Sequence, residues 1–197
     1  MHTLIVVAHP DPASYSHAAV ARLVAGLESV GGDTTDVLDL AAEDFDPRFT
    51  AADNDLFHGR GEPGDDILAQ QRRVDRADML VLVFPVYWWS MPAVMKGWID
   101  RVFISGWAYV DNPEKGTTRL LGRLKGQVVA IGGVNQQTYE RRGYLDALNT
   151  QIVGGIFGYC GIESVGLDLL LPIDPAGARE GLQKAYHIGQ RLSGKLS

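Results

Sequence analysis

Apolar positions fall into two rhythms along this chain. Leu4-Ile5-Val6-Val7-Ala8, Met79 to Phe84 and Gln127 to Ile131 are short, continuous, β-branched runs, the pattern of strands buried on both faces of a parallel sheet. From Ser16 to Val30 the apolar residues Val20, Leu23, Val24, Leu27 and Val30 recur at helical spacing, and Gly31-Gly32 stop the helix. Thr34 to Leu38 predicts the second strand, 64–76 a polar helix, and Pro92 the first turn of a helix reaching about Phe103. A helix over 143–159, a fifth strand at 163–170 and a terminal helix at 175–194 follow. Two stretches show no period. Residues 41–66, rich in Asp, Gly and Pro, predict a long surface excursion, and 104–125 a second irregular stretch.

Strands alternating with helices imply an α/β unit with a parallel sheet covered on both faces. Five strands suggest the order 2-1-3-4-5, with ligands beyond the carboxyl ends of strands one, three and four. The 197 residues fit a single domain spanning 1–197, without internal repeat or low-complexity segment. A net charge of -6 argues against nucleic acid or an anionic membrane as partner. The one cysteine, Cys160, excludes an intramolecular disulfide and a multi-thiolate metal site, and is expected to pack as a small hydrophobe. Histidine spacing suggests no metal. Met1-His2-Thr3 leads directly into a short apolar run with no basic segment, so a cytoplasmic location is expected.

Three loops at the expected ligand rim have unusual composition. His9-Pro10-Asp11-Pro12-Ala13-Ser14-Tyr15-Ser16 places a histidine and hydroxyls before a helix N-terminus, a natural phosphate seat, although Ser14 or Ser16 could equally cap the helix. Phe84-Pro85-Val86-Tyr87-Trp88-Trp89-Ser90-Met91-Pro92 carries three consecutive aromatics that cannot all enter one core. Stiffened by prolines, it suits a planar heteroaromatic ligand or a dimer interface. Gly132-Gly133-Val134-Asn135-Gln136-Gln137-Thr138-Tyr139 allows a ligand close to the backbone, or is an ordinary strand-to-helix turn. There is no GxGxxG, no Walker loop and no Gly-x-Ser-x-Gly elbow. His17 is expected at the surface, His58 without a partner, and Asp100 and Arg101 as surface or interface charges.

The run from Phe84 to Phe103, followed by Gly106-Trp107-Ala108-Tyr109, resembles the flavodoxin-like NAD(P)H:quinone oxidoreductases, of the DT-diaphorase and potassium-efflux ancillary types, over residues 3 to about 170. The resemblance implies a flavin phosphate site on His9, Ser14, Tyr15 and Ser16. It implies isoalloxazine contacts on Pro85, Val86, Tyr87, Trp88, Trp89, Gly132 and Gly133. A tyrosine and a histidine past the glycine pair assist charge development in the DT-diaphorase branch. Here Tyr139 matches the tyrosine with one residue inserted, the histidine is missing, and Tyr144 is the nearest polar ring.

What the resemblance implies is an enzyme that takes hydride from NADPH or NADH through bound FMN, alternatively FAD, to a quinone-like acceptor in a ping-pong order. It further implies a homodimer whose seam would include Trp98, Phe103, Trp107 and Tyr109. A regulatory flavin-binding subunit docked on a membrane transporter is the alternative, and a one-electron shuttle a third.

Overall fold

The computed structural model describes residues 1–193, and the expected helix end at 194 lies outside them. In chain order the elements are β1 (His2–Val7), α1 (Tyr15–Val30), β2 (Thr34–Asp39), α2 (Ala51–Phe57), α3 (Asp65–Arg76), β3 (Met79–Pro85), α4 (Ala93–Val102), β4 (Tyr109–Asn112) and β5 (Gly116–Arg119). They continue with β6 (Lys125–Ile131), α5 (Gln136–Arg141), α6 (Tyr144–Leu148), a π-helix (Asn149–Phe157), the single turn α7 (Gly158–Cys160), β7 (Glu163–Leu170) and α8 (Pro175–Ser193). The main sheet is parallel, in the order β2-β1-β3-β6-β7. That is the expected 2-1-3-4-5, with a separate antiparallel ribbon, β4–β5, between its third and fourth strands.

Side chains alternate across each strand, so the continuous apolar runs serve two cores. Leu4, Val6, Leu80, Leu82, Phe84 and Val128 face a layer that includes Ile67, Val74, Trp98 and Val102 from α3 and α4. Ile5, Val7, Val81, Val83 and Val129 face Leu23 and Leu27 of α1 and Ile188 and Leu192 of α8. Cys160 is buried in the first core, as packing required.

Two expectations are corrected. The excursion over 41–66 contains helix α2, opened by a capping box in which Thr50 and Asp53 bond each other's backbone amides. The stretch 104–125 holds the β4–β5 ribbon. The helix expected over 143–159 is present, running without interruption from Tyr144 to Cys160 after Gly143 at φ 69°, with its middle nine residues wound as π-helix.

Arg101 is not a surface charge either. Only 8% exposed, it donates to Asp53, to the Asp46 carbonyl at 2.8 Å and to Asp66 at 3.1 Å, while its guanidinium lies over Phe45. Asp100 does sit at the surface, paired with Lys96. One arginine of α4 thus pins both ends of the excursion beside the aromatic loop that precedes that helix.

Removing one partner of a buried pair leaves the other charge uncompensated, so Arg101→Ala is expected to cost about 3 kcal/mol at pH 7. Burial by itself raises the Asp53 carboxyl, but the bonds from Thr50 and Arg101 outweigh it and hold it below its ordinary value. A carboxylate held down in this way stabilises the fold fully above about pH 4 and loses that contribution as pH falls through the folded value. Urea denaturation across pH 7 to 3 should show the Arg101→Ala deficit shrinking at the acid end. An equal deficit throughout would assign the cost to packing on Phe45 instead.

Candidate functional site

Register brings three loops to one rim. Val7 pairs with Val83 across β1 and β3, and Pro85 with Ile131 across β3 and β6. Just past these pairs Ala8 N–H donates to the Val83 carbonyl, Val86 N–H to the Ile131 carbonyl at 2.8 Å, and Gly132 N–H to the Leu170 carbonyl at 2.8 Å. The loops after β1, β3 and β6 therefore leave the sheet side by side.

After β3 the chain makes a tight reversal in which Tyr87 and Ser90 exchange N–H···O bonds of 3.0 and 3.1 Å. The two central residues, Trp88 at φ 49° and Trp89 at φ 63°, both occupy left-handed backbone. Turns of this shape ordinarily take Asn and Gly, and bulky residues there cost about 1–2 kcal/mol each. Trp88 is nonetheless 93% exposed, so its ring recovers little of that cost by burial. The Ser90 hydroxyl donates to Gln151 of the π-helix at 2.5 Å, tying the turn down from the far side.

Past β6, Asn135 caps α5 by accepting the Thr138 N–H at 2.9 Å, so the glycine loop is short. A Cβ on Gly132 would lie 2.5 Å from the Tyr139 hydroxyl, whereas one on Gly133 would meet nothing within 4 Å. Tyr139 is 1% exposed, and burial pushes its phenol up, so it remains a neutral O–H donor at neutral pH. Trp89 stacks on Tyr144 with centroids 3.6 Å apart and planes 11° from parallel, and presents its edge to Tyr139 at 6.0 Å. A cavity of about 210 Å³ opens here, lined by Val86, Trp88, Trp89, Gly133, Val134 and Tyr139. Of the expected planar-ligand residues, Pro85 ends β3, Tyr87 begins the reversal and Gly132 packs against Tyr139 and Leu171; none of these three lines this cavity, and Tyr87 is half exposed.

At the third loop Ser14 is the N-cap of α1, its hydroxyl accepting the His17 N–H. Ser16 is 2% exposed within the first turn. The first-turn N–H groups of Tyr15 and Ser16 have no partner inside the helix. Tyr15 is turned differently from expectation, because its hydroxyl donates to the Ala178 carbonyl of α8 at 2.9 Å. His9 Nδ1 accepts the Asp11 N–H at 3.1 Å, which in the neutral ring makes Nε2 a donor. His17 is not a free surface residue, since it bridges Ser14 and Asp39 with bonds of 2.8 Å each. His58, expected alone, bonds the Asn54 carbonyl.

A larger cavity, about 470 Å³, shares no lining residue with the first. Phe49, Phe57, Phe103, Tyr109, Ile156 and Tyr159 line it, and Phe57 is 67% exposed. Of the four aromatics expected at a seam, Trp98 is fully buried against the sheet, so it is excluded. Trp107 donates its indole N–H to Asp75, while Phe103 and Tyr109 do reach the cavity. Among the described residues no cluster of His, Cys, Asp or Glu could hold a metal, and no helix is long and apolar enough to cross a membrane.

The family described as flavodoxin-like fold matches residues 1–187. The chain is 36% identical to the ribosyldihydronicotinamide dehydrogenase [quinone] of Mus musculus, with 96% of this chain and 89% of that one covered. It is 30% identical to an uncharacterized NAD(P)H oxidoreductase of Haemophilus influenzae, covering 86% and 83%. Among solved structures, the NAD(P)H:quinone oxidoreductase from Methanothermobacter marburgensis is similar with a TM-score of 0.90 at 25% identity, covering 100% and 99%.

Replacing Trp88 by Asn removes a mostly exposed ring and inserts a residue that tolerates left-handed backbone. Trp88→Asn is therefore expected to raise the unfolding free energy by about 1 kcal/mol. Chemical denaturation checks it, and a loss of stability would show that the Trp88 backbone carries no relievable strain.

Proposed function

We propose that this chain, which belongs to the flavodoxin-like family of NAD(P)H:quinone oxidoreductases, holds FMN along the loop rim and passes hydride from NADPH or NADH to a quinone-like acceptor. The observation that carries the reading is the Trp88-Trp89 turn, a strained backbone sharing a cavity with Gly133 and Tyr139. Strain of this kind persists where the surroundings enforce it, and binding sites are where it concentrates.

The residues present fit such a group. Space lies open beside Gly133, and Val86, Trp88, Trp89 and Val134 offer apolar walls to a flat ring. The amides of Tyr15 and Ser16, with the Ser16 hydroxyl and His9 Nε2, form a donor set for a single phosphate at the positive end of α1, with the Ser14 hydroxyl beside them. Pro85 and Tyr87 would hold the reversal in place, and the Gly132 and Gly133 backbone would lie against the ring. When bound, flavin would supply the hydride chemistry, taking hydride from the nicotinamide and, after that product leaves, giving it to the acceptor in the same place. Tyr139 contributes a neutral donor beside the glycine loop, suited to negative charge that develops there. Tyr144 backs Trp89 and fixes the width of the slot.

A homodimer is part of the same reading. The 470 Å³ apolar cavity, with half-exposed Phe49 and largely exposed Phe57 at its mouth, supports a second copy as its cover. Light scattering at micromolar concentration should give a dimer; a monomer would remove this part.

The decisive test is reconstitution. Purified protein should take up FMN and bleach on anaerobic addition of NADPH or NADH, and mass spectrometry of the released cofactor separates FMN from FAD. Protein that stays colourless with both flavins ends the reading. Gly133→Ala should leave stability within about 0.5 kcal/mol while weakening FMN binding tenfold or more. Tyr139→Phe should slow the hydride steps by roughly ten- to a hundredfold in stopped flow, since one donor to developing charge is lost. Unchanged rates would leave Tyr139 without that role.

A further inference from the structure

Ser14, His17 and Asp39 form a chain whose proton positions can be assigned from its partners. Asp39 ends β2, and its Oδ1 accepts the N–H groups of Ala41 and Ala42 at 3.1 Å each. That leaves Oδ2 for His17 Nε2 at 2.8 Å. A carboxylate only accepts, so Nε2 carries a proton. In the neutral ring Nδ1 is then an acceptor, and the Ser14 hydroxyl, 2.8 Å away, gives it its only proton. A protonated ring reverses this bond: Nδ1–H donates to Ser14 Oγ, and the serine proton is released to point elsewhere. One proton enters from solvent and no heavy-atom bond changes.

We infer that His17, oriented by Asp39, is a positioning residue that decides whether Ser14 can donate to the flavin phosphate at the α1 N-terminus. The inference rests on the flavin reading above. Protonation of His17 adds one donor and one nearby positive charge for the phosphate. Both side chains are sheltered, His17 at 19% and Asp39 at 21% exposure, so water competes weakly for the pair. The other titratable groups around the ring are His9, whose ring centroid lies 6.4 Å from that of His17 with the planes nearly perpendicular, and Asp11, which accepts the Ala13 N–H in the same loop. Glu43, further along from Asp39, is held by Arg73.

The test is the pH dependence of FMN affinity, read by quenching of flavin fluorescence in the apoprotein between pH 8 and pH 6. The phosphate itself titrates in this range and every other group is common to both proteins, so the His17 contribution is the difference between wild type and His17→Gln. The affinity advantage of wild type over His17→Gln should grow by roughly five- to tenfold on going from pH 8 to pH 6, one charge-assisted bond replacing a neutral one. With riboflavin, which has no phosphate, the two proteins should follow parallel profiles. Asp39→Asn should shrink the pH 8 to pH 6 difference, because the ring loses the charged partner of its Nε2–H. Parallel FMN profiles for wild type and His17→Gln, with both folded by circular dichroism, overturn the inference while the flavin reading stands. Failure of wild type to bind FMN at any pH overturns both.

Discussion

The parallel hydrogen-bond ladder joining β1, β3 and β6 sets where everything else in this molecule can be. Because Val7 lies against Val83 and Pro85 against Ile131, three chain segments distant in sequence leave the sheet side by side, each one strand spacing from the next. A one-residue slip in any of these pairings would exchange the two cores and displace a loop from the rim. The two-sided burial of the strands makes such a slip costly, since every position in β3 from Met79 to Phe84 is committed to one core or the other. Packing thus holds the site in register, and the loops are free to carry unfavourable local geometry.

That freedom is used most heavily after β3. Two tryptophans in left-handed backbone are tolerated because both ends of the reversal are held. The buried strand holds one end, and on the other side Pro92 leads into α4 while Ser90 bonds Gln151. The π-helix that supplies Gln151 also lines the larger apolar cavity through Gly155 and Ile156. Irregular helix of this kind is uncommon outside functional regions. Arg101, inside α4, extends the same support to the excursion carrying Phe49 and Phe57. A slot and an apolar face are therefore fastened to one helix.

Electrostatically the rim is built from neutral donors rather than fixed cations. Tyr139 is kept protonated by burial, Ser16 offers a hydroxyl, and α1 contributes its first amides. The adjustable charge at this edge is the His17–Asp39 pair, one side chain behind Ser14. An overall charge of -6 makes such local arrangement necessary for an anionic ligand, because the molecule's net field opposes its approach.

Much of this was legible in the sequence. Continuous apolar runs determined a parallel sheet, because burial on both faces leaves no other periodicity, whereas the order 2-1-3-4-5 was only suggested until the strands paired. The aromatic run and the glycine pair marked their loops by composition alone. Tertiary structure decided what depends on distant partners. Arg101 looks like any surface charge until Asp53 and Asp46 fold over it, and Trp98 looks like an interface residue until α4 turns it to the sheet. His17 gains its meaning only from Asp39, twenty-two residues on, and Tyr15 loses its hydroxyl to α8. The capping box at Thr50 and Asp53 was readable and was hidden by the surrounding turn residues. Sequence fixes local periodicity because neighbours share a backbone, whereas side-chain partners separated by tens of residues are chosen only when the sheet has closed the distance between them.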